Sequence, residues 1–253
     1  MTRDERELAW RRHQSHEFHR PSPDLAEHVA RYWVVEWRYE RPYRQLIVPY
    51  PNVHLAFQGD DALVTGVSSG HVSKELDGAG RVFGVAFRPG AFRPFLGAPV
   101  QSLTDRTVPA AAVFDHLPAH ADLDGVEAML RRNLPEPDPR ARQAVEIVDR
   151  IVEDPSITRV DVLAREVGGS VRRLQRLFAE HVGVGPKWVI RRYRLHEVTE
   201  RMAAGGAIDW AALAADLGYA DQPHFVRDFT AMFGETPTRY AERYGDALAT
   251  GRR

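Results

Sequence analysis

Residues 218–229 read GYADQPHFVRDF, and residues 168–178, GGSVRRLQRLF, repeat the same physical pattern. In both stretches a glycine precedes a side chain that caps helices, and apolar residues then recur at the spacing of one helix face. The offset is 50 residues before the cap and 51 from the cap onward, so the second turn carries one inserted residue. The matched pairs are Ala164 and Ala214, Gly168 and Gly218, Ser170 and Asp221, Leu174 and Phe225, Arg176 and Arg227, Phe178 and Phe229, Gly183 and Gly234, and Pro186 and Pro237. This internal repeat decides the fold of the C-terminal half.

Each copy predicts a helix-turn-helix motif. A small residue lets the first helix pack closely on the second, and Gly168 or Gly218 can adopt the left-handed conformation that ends a helix. Ser170 or Asp221 then satisfies the first free amides of the second helix. A helix, a tight glycine turn and a capped helix are the parts of this motif, whose second helix lies in the DNA major groove.

The side chains that would read bases follow from 100° of rotation per residue on the two second helices. On the first, the apolar face predicts that Arg172 and Arg176 point outward, with Arg173 and Gln175 on the flanks. On the second, the outward residues are Gln222 at the tip, Pro223, His224, Arg227 and Thr230. Arginine pairs with guanine and glutamine with adenine, so these residue types suit base reading. The alternative interpretation is that the arginines only solvate the helices.

A long amphipathic helix, predicted from Pro186 to Met202, would join the two units and fix their separation at about one turn of DNA, roughly 34 Å. Lys187, Arg191 and Arg192 on this helix are candidates for phosphate contacts.

Charge is distributed unevenly along the chain. The formal net charge is −1, with −3 in residues 1–139 and +2 in residues 140–253. Between Ser170 and Arg194 there are seven basic residues and one acidic residue, Glu180. This excess fits a DNA-facing stripe or a solvated helix face. An excess of only +2 over the helical half argues against a nonspecific, architectural DNA-binding protein.

The segment from Gly218 to Phe229, with FGETP at 233–237 and Tyr240, resembles the C-terminal signature of the AraC/XylS family of bacterial transcriptional regulators. The first unit is similar to the other helix-turn-helix motif of that family, and the resemblance covers roughly residues 142–244. It implies a sequence-specific activator or repressor that contacts promoter DNA and RNA polymerase. The implied base-reading positions are Arg172, Gln175, Arg176, Gln222, Pro223, His224 and Arg227. Ala179, Thr230 and Ala241 stand where the family commonly has basic residues, which predicts fewer phosphate contacts.

The chain is predicted to be α+β, with a β-rich domain at residues 1–134 and an all-α domain at residues 141–246. The linker between them, residues 135–140, has prolines at alternate positions, which disfavour helix. Apolar runs bounded by Pro, Gly and Asp predict strands at 44–57, 62–67 and 81–87. Residues 23–37 and 122–134 look helical, so we expect a small antiparallel barrel with flanking helices.

Two stretches of the N-terminal half, Val29–Val35 and Gly84–Phe92, resemble the barrel-like domain attached to one branch of the same regulators. This resemblance implies a sensor or dimerisation role, with a small-molecule effector or a second copy of the chain as partner. A pocket has apolar walls and few polar groups. The candidates to line one are Trp33, Trp37, Tyr50, His54, Phe57, Phe87 and Arg88. The alternative is that most of them are barrel core.

Several function classes are disfavoured. The absence of cysteine excludes disulfides, thiolate zinc sites and cysteine nucleophiles. His54, His71, His116 and His120 lack the spacing of a metal site, and neither a phosphate-binding glycine loop nor a Gly-x-Ser-x-Gly elbow occurs. We therefore predict no enzyme activity, metal or cofactor; the alternative is a barrel enzyme or metal-binding domain tethered to a DNA-binding module. No apolar run reaches the roughly 18 residues of a membrane span, so we expect a cytoplasmic protein.

Overall fold

The computed structural model describes residues 2–3, 13–204 and 208–242, and divides into an N-terminal antiparallel sheet domain and a C-terminal helical domain. The strands are β1 (Thr2–Arg3), β2 (Gln14–His19), β3 (Val29–Arg38), β4 (Tyr43–Val48), β5 (His54–Gln58), β6 (Asp61–Thr65), β7 (Val72–Leu76), β8 (Ala79–Phe87) and β9 (Thr107–Pro109). The helices are α1 (Arg93–Leu96), α2 (Leu123–Arg132), α3 (Pro139–Glu153), α4 (Val160–Glu166), α5 (Val171–His181), α6 (Pro186–Ala204), α7 (Trp210–Asp216) and α8 (Gln222–Phe233).

The strands form two sheets rather than the closed barrel that the sequence predicts. One sheet has six strands in the order β2-β3-β8-β5-β6-β9, and the other has three in the order β1-β4-β7. All the pairings are antiparallel. The strand β4 pairs with β1 and with β7, and this three-stranded sheet packs on one face of the six-stranded sheet through Tyr43 and Leu76.

The helix expected over residues 23–37 is wrong. Residues 23–28 form turns, and β3 begins at Val29 and continues to Arg38. The run VARYWVVEWR is rich in β-branched and aromatic residues, which suit a pleated strand. It is paired on both sides, with β2 and with β8, so tertiary pairing overrides a weak helical pattern.

The central strands of the six-stranded sheet are apolar on both faces. One face of β3 and β8 contributes Tyr32, Phe83 and Phe87 to a large core with the helices. The opposite face carries Trp33 and Trp37, which pack toward the three-stranded sheet. A sheet covered on both sides explains why these strands read as continuous apolar runs rather than as strict alternation.

One hydrophobic core crosses the boundary between the domains. Residues 134–138 have neither helix nor strand structure, and α3 begins at Pro139 with Asp138 as its N-cap. The core of the six-stranded sheet continues through α3 into the first helix-turn-helix unit, where Phe178 is fully buried. The second unit has its own core around Phe225 and Phe229, to which the N-terminal domain contributes Val48.

The connecting helix α6 is buried on more than one side, unlike the amphipathic helix that the sequence predicts. Val189 and Ile190 belong to the first core, whereas Leu195, Val198 and Met202 belong to the second. The helix thereby joins the two units through their interiors. Within the described residues, no helix is long and apolar enough to cross a membrane.

Candidate nucleic-acid interface

The two turns have the same backbone geometry. Each glycine adopts a positive φ, +67° at Gly168 and +75° at Gly218, which a side chain at that position would disfavour. The amide after each glycine donates back to the carbonyl oxygen of the buried alanine, at 2.8 Å to Ala164 and 2.9 Å to Ala214. The inserted residue of the second copy therefore lies after this closed turn.

Each recognition helix begins on the predicted cap. Ser170 Oγ accepts a hydrogen bond from the Arg173 amide at 3.2 Å, and Asp221 Oδ1 accepts one from the His224 amide at 2.7 Å. Both caps satisfy the third amide of their helix, which would otherwise lack a partner. The two helices α5 and α8 thus start at equivalent points, and residues counted from the caps are equivalent as well.

The predicted reading faces are accessible. On α5, Leu174 and Phe178 are buried. The exposed residues on these faces are Arg172, Arg173, Gln175 and Arg176 on α5 and Gln222, Pro223 and Arg227 on α8. Within the described ranges, no carboxylate forms an ion pair with any of the four arginines. Their guanidinium groups are therefore available to guanine edges or phosphates.

On α8, Asp228 organises the basic residues around it. Its carboxylate accepts a hydrogen bond from Arg191 of α6 at 3.0 Å and lies 3.7 Å from His224 Nε2. Asp228 therefore ties α8 to the connecting helix. Arg191, a predicted phosphate contact, already has a carboxylate partner, and His224 is only half-exposed.

The basic stretch of α6 is divided between surface and interior. Lys187 is exposed and remains the phosphate candidate of this helix. Arg192 and Arg194 are only 2% and 6% exposed, and Arg194 donates to the Ile157 carbonyl oxygen. The proposed phosphate contact from Arg192 is therefore wrong for this structure. Burial lowers the pKa of both guanidinium groups from their ordinary value, because it disfavours the charged form.

The N-terminal domain holds α6 at two points. Arg192 Nε donates to the Pro49 carbonyl oxygen at 2.5 Å, and its guanidinium carbon lies 3.8 Å from the centre of the Tyr50 ring. One turn earlier, Trp188 Nε1 donates to the Ser69 carbonyl oxygen at 2.8 Å. Sequence reasoning missed both contacts, because they join residues more than 100 positions apart.

The same domain also contacts each helix-turn-helix unit near the end of its recognition helix. Thr104 Oγ1 donates to the Gly183 carbonyl oxygen, just beyond α5, at 2.6 Å. His71 Nδ1 lies 3.2 Å from the Ala231 carbonyl oxygen in the last turn of α8. These contacts lie at the opposite end of each helix from its cap, and the reading faces stay exposed.

The residues predicted to line a pocket separate into four groups. Trp33, Tyr50 and His54 line a cavity of about 310 Å³ between the two sheets. Trp37 belongs to the neighbouring apolar cluster, and Phe57 and Phe87 lie in the core on the opposite face.

Arg88 lies elsewhere and forms an ion pair with Asp149 of α3 at 2.5 Å. The cavity also contains Lys74, which no local sequence signal marks because it lies on β7 of the other sheet. In the part of the chain that the structure describes, no group of three or more His, Cys, Asp or Glu side chains could hold a metal ion.

Two families match separate parts of the chain. Residues 163–243 match a family described as a helix-turn-helix domain, and residues 17–109 match a domain of unknown function, DUF6597. The chain is 34% identical over 101 residues to the regulatory protein SoxS of Salmonella typhimurium, which covers 39% of this chain and 90% of that protein. It is also 34% identical over 98 residues to SoxS of Escherichia coli K12, covering 38% of this chain and 87% of that protein.

Among solved structures, the chain is similar to apo ToxT K231A from Vibrio cholerae. The sequence identity is 11%, the match covers 84% of this chain and 97% of ToxT, and the TM-score is 0.42. An AraC-type regulator from Chromobacterium violaceum covers 40% of this chain and 88% of its own, at 23% identity and a TM-score of 0.34.

Proposed function

Because this chain belongs to the AraC/XylS family of bacterial transcriptional regulators, we propose that it reads two successive major-groove segments of one promoter site with α5 and α8. The chain is a sequence-specific DNA-binding regulator, and its two recognition helices are the elements that suit the groove. The observation that carries the proposal is the equivalence of Arg176 and Arg227. Both are exposed, and each lies six residues after the cap of its helix.

The two helices differ around the shared arginine, so the site should be asymmetric. Arg172 and Gln175 accompany Arg176, whereas Gln222, Pro223 and His224 precede Arg227. A palindrome read by one chain would require similar side chains at equivalent positions. Lys187 supplies a charge that fits a phosphate rather than a base edge.

We further propose that the N-terminal domain controls the relative placement of the two units. It contacts α6 through Arg192 and Trp188 and approaches the end of each recognition helix, yet covers neither reading face. Control by direct blocking is therefore less compatible with this arrangement than control by orientation. Promoter DNA is the partner of the helical domain; a small-molecule effector, a second copy of the chain and RNA polymerase are the proposed partners of the whole protein.

The test is a base-preference profile of the intact protein and two variants. If Arg176 and Arg227 each make a bidentate contact to guanine, alanine at either position should weaken binding by about 1–3 kcal/mol. Each substitution should relax preference at one base position only, and the two positions should lie about one helical turn apart.

Lys187→Ala is the matched control. A lost phosphate contact weakens all sequences alike and makes the salt dependence of binding shallower, without changing any base preference. The two-unit model fails if Arg176→Ala and Arg227→Ala both leave the profile unchanged, or if both alter the same base.

A further inference from the structure

The imidazole of His224 on α8 has one nitrogen that faces the protein and one that is open. Nε2 lies 3.7 Å from Asp228 Oδ2, one turn farther along the helix. Nδ1 has no hydrogen-bond partner among the described residues and is accessible to solvent. The His224 side chain is 41% exposed, whereas that of Asp228 is only 17% exposed. The nitrogen that can meet a base edge is therefore Nδ1.

Asp228 is held in place from the connecting helix. Arg191 Nη1 of α6 donates to Asp228 Oδ1 at 3.0 Å, so the other carboxylate oxygen, Oδ2, is the one that lies toward His224. The Tyr219 ring packs edge-on against the imidazole, with 5.3 Å between the ring centroids. Asp228 and Tyr219 together restrict how the imidazole can turn.

The carboxylate selects one hydrogen-bonding form of the neutral ring. A neutral imidazole has one N–H donor and one bare nitrogen that accepts, whereas the protonated ring has two donors. Because a carboxylate only accepts, the proton of the neutral ring is favoured on Nε2, facing Asp228. Nδ1 is then an acceptor in the neutral ring and a donor in the protonated ring.

The charged and titratable groups around His224 lie on three elements. On α8 and its cap, Asp228 faces the ring and Asp221 accepts the His224 amide at 2.7 Å; on α6, Arg191 is paired with Asp228. Aspartate and arginine ordinarily titrate outside the interval from about pH 5 to 8 in which histidine changes charge. In the turn, burial raises the pKa of Tyr219, which keeps its hydroxyl protonated in that interval. A change of base preference over this interval would therefore originate in the His224 ring.

We infer that Asp228 is a positioning residue that makes the base read by His224 depend on pH. In the protonated ring, Nδ1 donates and suits an acceptor on a base edge, such as N7 or O6 of guanine. In the neutral ring, Nδ1 accepts and suits a donor, such as the N4 amine of cytosine or the N6 amine of adenine. The first unit lacks this arrangement, because Arg173 and Leu177 occupy the equivalent positions. The inference rests on the proposed function, since it concerns one base within the segment that α8 reads.

The test is a base-preference profile of the intact protein at about pH 6 and about pH 8, on either side of the ordinary titration of histidine. At one base position of the segment read by α8, the affinity for guanine relative to cytosine or adenine should fall by about 2- to 10-fold as the pH rises, the range of one net hydrogen bond. The positions read by α5 are the internal control. Their ratios should stay constant, because arginine keeps its charge at both pH values.

Three variants separate positioning from a structural role. His224→Gln should remove the pH dependence at that position, because glutamine does not titrate. Asp228→Asn replaces the carboxylate by an amide, which both donates and accepts, so the proton of the neutral ring is no longer fixed on Nε2. Its preference at about pH 8 should relax, whereas its preference at about pH 6 should be retained. Asp228→Glu keeps a carboxylate and should restore the difference between the two pH values.

Circular dichroism at both pH values identifies any variant that fails to fold. His224→Gln leaves the ion pair between Arg191 and Asp228 intact, so it decides the matter if the substitutions of Asp228 unfold α8. Affinity ratios of the wild type that do not change with pH at any position would overturn the inference. A pH dependence that survives in His224→Gln, or a profile of Asp228→Asn that equals the wild type at both pH values, would do so as well.

The proposed function is judged separately by Arg176→Ala and Arg227→Ala. If each of these variants relaxes its own base position while pH changes no ratio, the proposed function stands and this inference fails. A wild-type profile without base preference at either pH would contradict both.

Discussion

At the scale of single residues, burial decides what an arginine does. Arg176 and Arg192 belong to one basic stretch, yet Arg176 is exposed and Arg192 is enclosed by Pro49 and Tyr50. A guanidinium that is enclosed in this way can stack on an aromatic ring and donate to a carbonyl oxygen at the same time. An ammonium group is less suited to such a site because it is not planar and is more strongly hydrated. Residue type alone predicts a DNA contact for both side chains, to a base from Arg176 and to a phosphate from Arg192, but only the exposed one can make it.

Replacement of Arg192 by methionine should weaken the contact between the sheet domain and α6. The substitution keeps an apolar stem but leaves the Pro49 carbonyl oxygen without its donor and removes the cation–π contact with Tyr50. These losses are offset in part because a buried charge is removed. We expect a net destabilisation of about 1–3 kcal/mol, measured as a lower midpoint of urea unfolding.

Arg172→Met is the control, because Arg172 is exposed and lies on the reading face. An exposed substitution of this kind changes stability by less than about 0.5 kcal/mol, although it should weaken DNA binding. A single unfolding transition of unchanged midpoint in Arg192→Met would show that this contact does not couple the domains.

At the scale of elements, the helices and turns that are marked by residues close together in the sequence are the ones that can be predicted best. The cap, the glycine and the apolar period of each helix-turn-helix unit lie within about 15 residues of one another, so α5 and α8 begin at the predicted caps, Ser170 and Asp221. The strand β3 was predicted as a helix because its conformation depends on pairing with β2 and β8. The cavity was predicted only in part, since Lys74 enters it from the other sheet.

The cap of α8 gives a second stability prediction. Asp221→Ala should destabilise the second unit by about 0.5–2 kcal/mol, because the His224 amide loses its acceptor. Asp221→Asn retains an acceptor and should cost much less, since the two side chains cap helices about equally well. Chemical denaturation of the intact protein measures both, and hydrogen exchange at the first turn of α8 locates the effect. Equal losses for both substitutions would assign the stabilisation to the negative charge at the helix N-terminus instead.

At the scale of the whole molecule, the two DNA-binding units depend unequally on the N-terminal domain. The first unit shares its hydrophobic core with the six-stranded sheet, through α3 and residues such as Phe178. The second unit is built around Phe225 and Phe229 and takes Val48 from the sheet domain. This asymmetry bears on the connection between the domains at residues 134–138, because a cut there exposes apolar surface mainly on the first unit.

A fragment of residues 138–253, which retains the Asp138 cap of α3, should therefore fold and bind DNA. Its two helix-turn-helix units should differ in how well they keep the base preference of the intact protein. We expect the second unit to keep the preference set by Arg227, because its core stays almost complete. The first unit should exchange amide hydrogens faster in α4 and α5 than in the intact protein, since local stability follows the buried apolar contacts. Its preference at the base read by Arg176 should weaken correspondingly.

The measurements are hydrogen exchange and a base-preference profile for the fragment and the intact chain. Phe178→Ala in the intact chain is the matched control, because it removes part of the first unit's core without removing the N-terminal domain. Identical exchange rates and identical base-preference profiles for fragment and intact protein would mean that the shared core does not support the first unit. An equal loss of base preference in both units would mean that the N-terminal domain stabilises them through α6 instead.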